Sequence, residues 1–465
     1  MARPFGDKHI FLAISLLVGG SAQAADPAPR HAILISIDGL AGFYLDDPRA
    51  PIRTLRQLAA EGAVCSQMKC SFPTVTWPNH TSLVTGVSPA VHGVLGNNVM
   101  ERESGNELKL IGDSKLDKTD LVRALTIYDA AHAAGLTTAA ISWPATRNAP
   151  TLTWTLPDVY TRELFERYAT PGWYSELRES GVPVDFRGKW VDVDETMARC
   201  DWLSTQATVQ VIERHRPNLI LLHLLVCDSV QHKYGPRTPE AYWALSYADD
   251  RVCEILDAVA RAGLASQTSI VIVSDHGFFA INKVILPNIA LKQAGLLRAA
   301  GRDVIHKDAY VLSQGGAAAV YIADRTKAAD LTPRLIELLG SLEGVAKVLK
   351  PDEFSALGQP TPPESPWAAN LWLAAKEGYV FWHGVEGDQT VTDQIPAGAP
   401  NYRGMHGYLP DHRDMRGSLI ISGHGTRAGV RLVEVSNLDV APTLARLLGV
   451  PFPTAQGKVL EDALK

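Results

Sequence analysis

Apolar and polar positions along this chain follow two alternating rhythms. Short continuous apolar runs at residues 32–37, 138–142, 219–226, 269–274 and 418–422 have the length of strands buried on both faces. Between them lie stretches whose apolar residues recur every three to four positions. These predict helices at 52–60, 121–134, 197–215, 240–262 and 439–448. Gly135, Pro217 and Gly263 supply the expected stops. Alternating strands and helices predict an α/β fold, with a mostly parallel central sheet and helices on both faces.

From about 283 to 403 the rhythm changes. Residues 310–312 and 317–322 flank Gly315-Gly316, which predicts an antiparallel hairpin. A helix at 332–342 and short strands at 345–349 and 379–382 follow. Pro360, Pro362, Pro363 and Pro366 mark an irregular surface stretch. The expected organisation is a core made of 31–282 and 404–465, with a small α+β cap, 283–403, inserted between its two parts.

Three of the strand-like runs end in an aspartate: Asp38, Asp228 and Asp275. Parallel strands finish at one common edge, where ligand sites lie. Unpaired carboxylates gathered there are costly, and divalent metal ions are the most economical reason for them. Asp228 and His232 stand four apart, so a helical turn puts both on one side. Asp275 and His276 precede Gly277, which permits a tight exit from the strand. His406 lies between Gly404 and Gly407. Together, Asp38, Asp228, His232, Asp275, His276 and His406 divide over two zinc-like ions with three protein ligands each.

A nucleophile is offered by Thr76 in Phe72-Pro-Thr-Val-Thr-Trp-Pro-Asn-His80. A threonine alkoxide is too basic to exist unaided, but a divalent ion on its oxygen stabilises it. Pro78 suits a helix start, where amide donors and the positive dipole end favour an anion. The alternative is that Thr76 or Thr74 only caps that helix. Three aspartates and one alkoxide balance two divalent ions, so an anionic phosphate would not be repelled.

The 465 residues are 46% apolar, ample for a large core. A net charge of −6 and a pI of 6.2 argue against a surface that coats nucleic acid. Arg3 and Lys8 precede an apolar run at 10–18, and Ala22-Gln-Ala24 has the form of a cleavage site. Residues 1–24 are therefore expected to be a secretory signal, the run falling short of the roughly 20 residues a membrane span needs. No later stretch is long enough to span, so a soluble mature chain, periplasmic or secreted, is expected. Of five cysteines, Cys65 and Cys70 could close a small loop, and Cys227 is read as a packed thiol at a strand end.

These pieces, in this order, resemble the alkaline phosphatase superfamily, and within it the nucleotide pyrophosphatase/phosphodiesterase family. The matching segments are Ser36-Ile-Asp38-Gly39, Phe72–His80, Thr85-Gly86 with His92-Gly93, Asp228-x-x-x-His232-x-x-Gly235-Pro236, Ser274-Asp-His-Gly277 and Gly404-Met-His-Gly-Tyr408. The resemblance implies an alkaline-phosphatase-like core. It implies one zinc held by Asp228, His232 and His406, and a second held by Asp38, Asp275, His276 and Thr76. It also implies a phosphate-binding asparagine, Asn97 by spacing, with Asn98 as the neighbouring register. The implied reaction is hydrolysis of a small phosphodiester or nucleotide through a phosphothreonine.

Some positions depart from the family pattern. Gln231 stands where many relatives have glycine, and Leu409-Pro-Asp411 replaces a commoner Asp-Asn. No convincing nucleoside-binding aromatic pair is found among Phe43, Tyr44, Trp77, Tyr160 and Tyr174. A phosphomonoesterase or phosphonate hydrolase is the nearest rival. Monoesters usually meet fixed cations, and near Thr76 and Asn97 only Lys69 and Arg102 are available, with no motif fixing either. The sulfatase pattern Cys/Ser-x-Pro-x-Arg is not matched by Thr76-Trp-Pro-Asn-His80. A non-catalytic metal-binding protein would be expected to have lost the nucleophile or a ligand, and every such position is filled.

Overall fold

The computed structural model describes residues 30–102, 104–112, 115–190, 196–396 and 398–465. The expected signal segment, 1–24, lies outside them. The strand His31–Ile37 runs through the middle of the main sheet, and its period-2 alternation sorts its residues between two cores. Ile33, Ile35 and Ile37 face one core and Ala32 and Leu34 the other. The neighbouring strands divide alike: Ile220, Leu222, Ile270 and Ile272 join the first set, and Leu219, Leu221, Val271 and Val273 the second. A sheet apolar on both sides must be covered on both. Helices Arg53–Glu61, Met197–His215 and Pro239–Arg261 cover the first face. Helices Thr76–Thr85, Ile127–Ala133 and Val440–Leu448 cover the second.

His31–Ile37 pairs in parallel with Leu219–Leu224 on one side and Thr268–Val273 on the other. Thr138–Ile141 extends the parallel run beyond Leu219–Leu224. Gly417–Gly423 enters antiparallel between Thr268–Val273 and Ala63–Lys69. In register, Ala32 lies beside both Leu219 and Ser269, so the three central strands finish level. Asp38 and Asp275 emerge from that level edge.

A second body of structure has its own sheet, in the order Ala309–Gln314, Ala317–Ile322, Leu371–Ala375, Val345–Leu349. Helix Ala328–Gly340 packs on it through Leu335 and Leu339. The strand Phe279–Ile285 joins this region to the core, pairing with Gly378–Phe381 and with Gly404–Met405.

Three local expectations need correction. The helix expected over 121–134 is two pieces, Lys118–Leu121 and Ile127–Ala133. Thr126 breaks it, because its side chain caps the second piece and Asp129 reciprocates. The strand expected over 219–226 ends at Leu224, and a helix, Val226–Tyr234, begins almost at once. Cys227 is therefore in the first turn of that helix, buried as expected. Cys65 and Cys70 are both buried and are not joined to each other. Among the described residues no helix is long and apolar enough to cross a membrane.

Candidate active site

Asp38 and Asp275 come directly off the level edge of the sheet, and both are buried. Asp228 and His232 lie one turn apart on helix Val226–Tyr234, and both are half-buried. This helix starts abruptly because the Asp201 carboxylate accepts the Leu225 and Val226 amides at 2.8 and 2.9 Å. His276 follows Asp275, and Gly277 after it is needed for space rather than for an unusual φ. A Cβ there would stand 1.9 Å from the Asp414 carbonyl oxygen. His406 arrives from the far end of the chain, just after the strand Gly404–Met405.

The structure brings all six together. His276 Nε2 lies 3.2 Å from both Asp38 Oδ1 and Asp275 Oδ2. Asp228 Oδ1 lies 3.3 Å from His232 Nε2 and 3.5 Å from His406 Nε2. Two sets of donor atoms, Asp38-Asp275-His276 and Asp228-His276-His406, each fall within 4.8 Å of one another. His276 thus borders both sets.

The three imidazoles share one arrangement. Nδ1 lies 3.0 Å from the Gly404 carbonyl in His232, 3.2 Å from Gly277 O in His276 and 2.9 Å from Thr74 O in His406. A carbonyl only accepts, so in each ring the hydrogen sits on Nδ1 and Nε2 keeps its lone pair. Burial favours the neutral ring, lowering His276 well below the ordinary value and His406 to about 4. Each lone pair therefore confronts a carboxylate oxygen, acceptor against acceptor. Asp38 Oδ1, Asp228 Oδ1, Asp275 Oδ2 and His276 Nε2 are buried with no hydrogen-bond partner among the described residues. Burial, then the Asp228 charge, raises Asp38 well above the carboxylate range; burial, then Asp38, does the same to Asp275. Divalent cations fit this donor set, because they convert every one of these repulsions into coordination.

Thr76 occupies the first position of helix Thr76–Thr85, and Pro78 falls inside the first turn, where its missing N–H costs nothing. Neither threonine caps this helix: no side-chain cap is formed, and the Thr74 hydroxyl instead donates to Tyr408 O and accepts from Gly407 N. The Trp77 amide is taken by Asn97 Oδ1 at 2.9 Å, and the Asn97 amide by Gln314 Oε1 at 3.0 Å. Asn98 begins a hairpin and hands its carbonyl to Gln314 Nε2. His80 Nδ1 lies 2.9 Å from Thr76 O and 3.6 Å from Asp275 Oδ2, so the Thr76 turn is seated against the carboxylate cluster.

Other groups at the site were not singled out by the sequence. His223 is fully buried in the apolar strand, with Nε2 3.0 Å from Asp38 Oδ2 and Nδ1 3.1 Å from Ser142 O. A lone histidine inside a continuous apolar run was the available signal. Buried Arg187 donates to Val159 O and Ser142 Oγ and lies 3.6 Å from Asp158.

Residues 32–409 match the family model described as type I phosphodiesterase / nucleotide pyrophosphatase. Ectonucleotide pyrophosphatase/phosphodiesterase family member 1 of Homo sapiens is 25% identical over 245 residues, 53% of this chain and 23% of that protein. Venom phosphodiesterase of Naja atra is 24% identical over 250 residues, 54% of this chain and 26% of that protein. The match thus spans about a quarter of these relatives' length. Murine ectonucleotide pyrophosphatase / phosphodiesterase 5 superposes with a TM-score of 0.68 at 18% identity, covering 94% of this chain and all of that one. A solved structure of an inactive threonine-to-alanine variant of that murine protein, in complex with AMP, superposes equally well. The family model covers the three central strands, the Thr76 helix and all six clustered aspartates and histidines through His406, and on that ground the chain belongs to the type I phosphodiesterase / nucleotide pyrophosphatase family.

Proposed function

We propose that this protein is a two-metal phosphodiesterase or nucleotide pyrophosphatase that works through a phosphothreonine on Thr76. The observation that carries this reading is the shared posture of His232, His276 and His406, each giving its Nδ1 hydrogen to a backbone carbonyl and aiming Nε2 at partnerless carboxylate oxygens. Asp228, His232 and His406 would hold one ion. Asp38, Asp275 and His276, with the Thr76 oxygen, would hold the other. When bound, the two ions, zinc being favoured by the mix of imidazole and carboxylate, supply positive charge that acidifies a hydroxyl and offsets charge on the attacking and leaving oxygens.

The Thr76 oxygen attacks phosphorus, and the bond from phosphorus to the leaving alcohol or phosphate breaks. Water then cleaves the phosphothreonine and restores the hydroxyl. Asn97 has its Oδ1 committed to the Trp77 amide, so its Nδ2 hydrogens are the ones left for a phosphoryl oxygen. That contact with the residue after Thr76 supports Asn97 over Asn98. The AMP complex of the murine protein supports a nucleotide as substrate, and its inactive variant supports a threonine as the essential hydroxyl.

Diesters are favoured over monoesters because the two cations nearest in sequence are engaged elsewhere. Lys69 pairs with Asp411 at 2.6 Å, and Arg102 is spent on Ala368 O and Asn370 Oδ1. Within the same reading, 283–403 is a cap inserted between 31–282 and 404–465, supported by its separate sheet and by an apolar cluster drawn mostly from its residues, with Phe279, Tyr408 and Met415 added from the core. Export to the periplasm or outside the cell belongs to the proposal through the expected signal at 1–24. The test is a rate comparison of a nucleotide diester against the matching monoester. A large monoester preference would move the protein to the rival phosphomonoesterase class.

A further inference from the structure

Gln231 sits on helix Val226–Tyr234 between the ligands Asp228 and His232, and its side chain is almost wholly buried. Its carboxamide is fully employed as a donor: Nε2 gives one hydrogen to Gly39 O at 2.9 Å and one to Cys227 O at 3.0 Å. Its Oε1 accepts the Tyr44 hydroxyl at 2.8 Å, and the Tyr44 oxygen in turn accepts the Arg237 amide at 2.9 Å. Gly39 is gripped from both sides, because its own N–H donates to Asp275 Oδ1 at 3.2 Å. It is glycine at φ +70°, and a Cβ there would crowd the Gln231 amide at 3.1 Å.

These bonds form one continuous path. It begins on the helix that carries Asp228 and His232, passes through the Gln231 amide to the peptide next to Asp38, and ends on the Asp275 carboxylate. Apart from His276, which borders both sets, the two are borne by separate segments of the chain. We infer that Gln231 is a positioning residue that fixes the Asp228-His232 ligand pair relative to the Asp38-Asp275 pair, and so sets the spacing of the two metal ions. With glycine at this position no side chain could make the tie. The inference rests on the two-ion reading of the site.

The test uses the full-length protein loaded with Co2+ and read by chelator competition, by its visible spectrum and by magnetic coupling between the ions. In Gln231→Met, which keeps the volume and loses all three hydrogen bonds, the affinity for one of the two ions is expected to fall roughly 10–100-fold. The coupling signature should change in step. Tyr44→Phe, which keeps both Nε2 bonds and removes the bond to Oε1 together with the acceptor of the Arg237 amide, should shift the same readouts in the same direction by less. Two equivalents bound with wild-type affinity and an unaltered coupling signature in Gln231→Met would overturn the inference, even if its melting temperature dropped. If Gln231→Met does not fold, Tyr44→Phe decides by the same criteria. Fewer than two ions in the wild type would instead sink the two-ion reading and this inference with it.

Discussion

The imidazoles of His276 and His406 stack face to face, with ring centroids 3.6 Å apart and planes 9° from parallel. The two donor sets therefore share a wall, so under the two-ion proposal emptying one set is expected to disturb the other. Purified protein is expected to carry about two zinc equivalents, measured by elemental analysis. Exhaustive chelation should abolish hydrolysis and lower the melting temperature, because ions held at a thousand times their Kd contribute about 4 kcal/mol. Full activity in the chelated protein would contradict the metal assignment.

Thr76→Ala should cut turnover roughly 10^4-fold or more while metal content and folding persist. The substitution removes one hydroxyl and leaves the Thr76 carbonyl, which holds His80, in place. Radiolabelled phosphate trapped on the wild type by acid quench, and absent from the variant, checks the same step. Normal turnover by the variant would remove Thr76 as nucleophile.

Asn97→Ala should lower kcat by about 10^2–10^3, the usual loss for one donor to a developing oxyanion. Asn98→Ala should leave kcat near wild type, because its ties to Gln314 run through the backbone carbonyl. The reverse ranking would reassign the phosphate contact.

Acid stability should depend on His92. Its Nδ1 accepts the Val94 amide at 3.1 Å and its Nε2 faces Ser82 Oγ at 3.0 Å, a pattern that suits only the neutral ring. Burial lowers it from 6.5 to about 3. In the unfolded chain the ring takes a proton near 6.5, while the folded protein refuses it down to about 3. Stability is thus fully present above 6.5 and is lost between 6.5 and 3, at about 1.4 kcal/mol per pH unit. Urea unfolding of chelated protein across that range should show a shallower decline in His92→Gln. Equal slopes would show that His92 does not resist protonation.

Much of the site can be read from the chain because strand ends and ligand types are local signals. An apolar run followed by Asp38 or Asp275 says where the sheet stops, and i,i+4 spacing puts Asp228 beside His232. What cannot be read locally depends on partners distant in sequence. The helix at Val226 starts early because Asp201 caps it from another element. His223 looks like an interruption of a core strand until Asp38 is found across the sheet at 3.0 Å. The break before Ile127 is different: Thr126 and Asp129 form a capping box that the sequence displays openly.

The strand Gly417–Gly423 has a kinetic consequence. It fills the gap between Ala63–Lys69 and Thr268–Val273, setting Ile421 beside Ala63. The segment 63–69 therefore waits for one about 350 residues later in the chain before its backbone finds its mate. Such distant closure slows folding. The nascent chain should stay pliable until residue 423 has emerged, and cleavage just before residue 417 should yield a protein that never settles, although all six clustered aspartates and histidines are present.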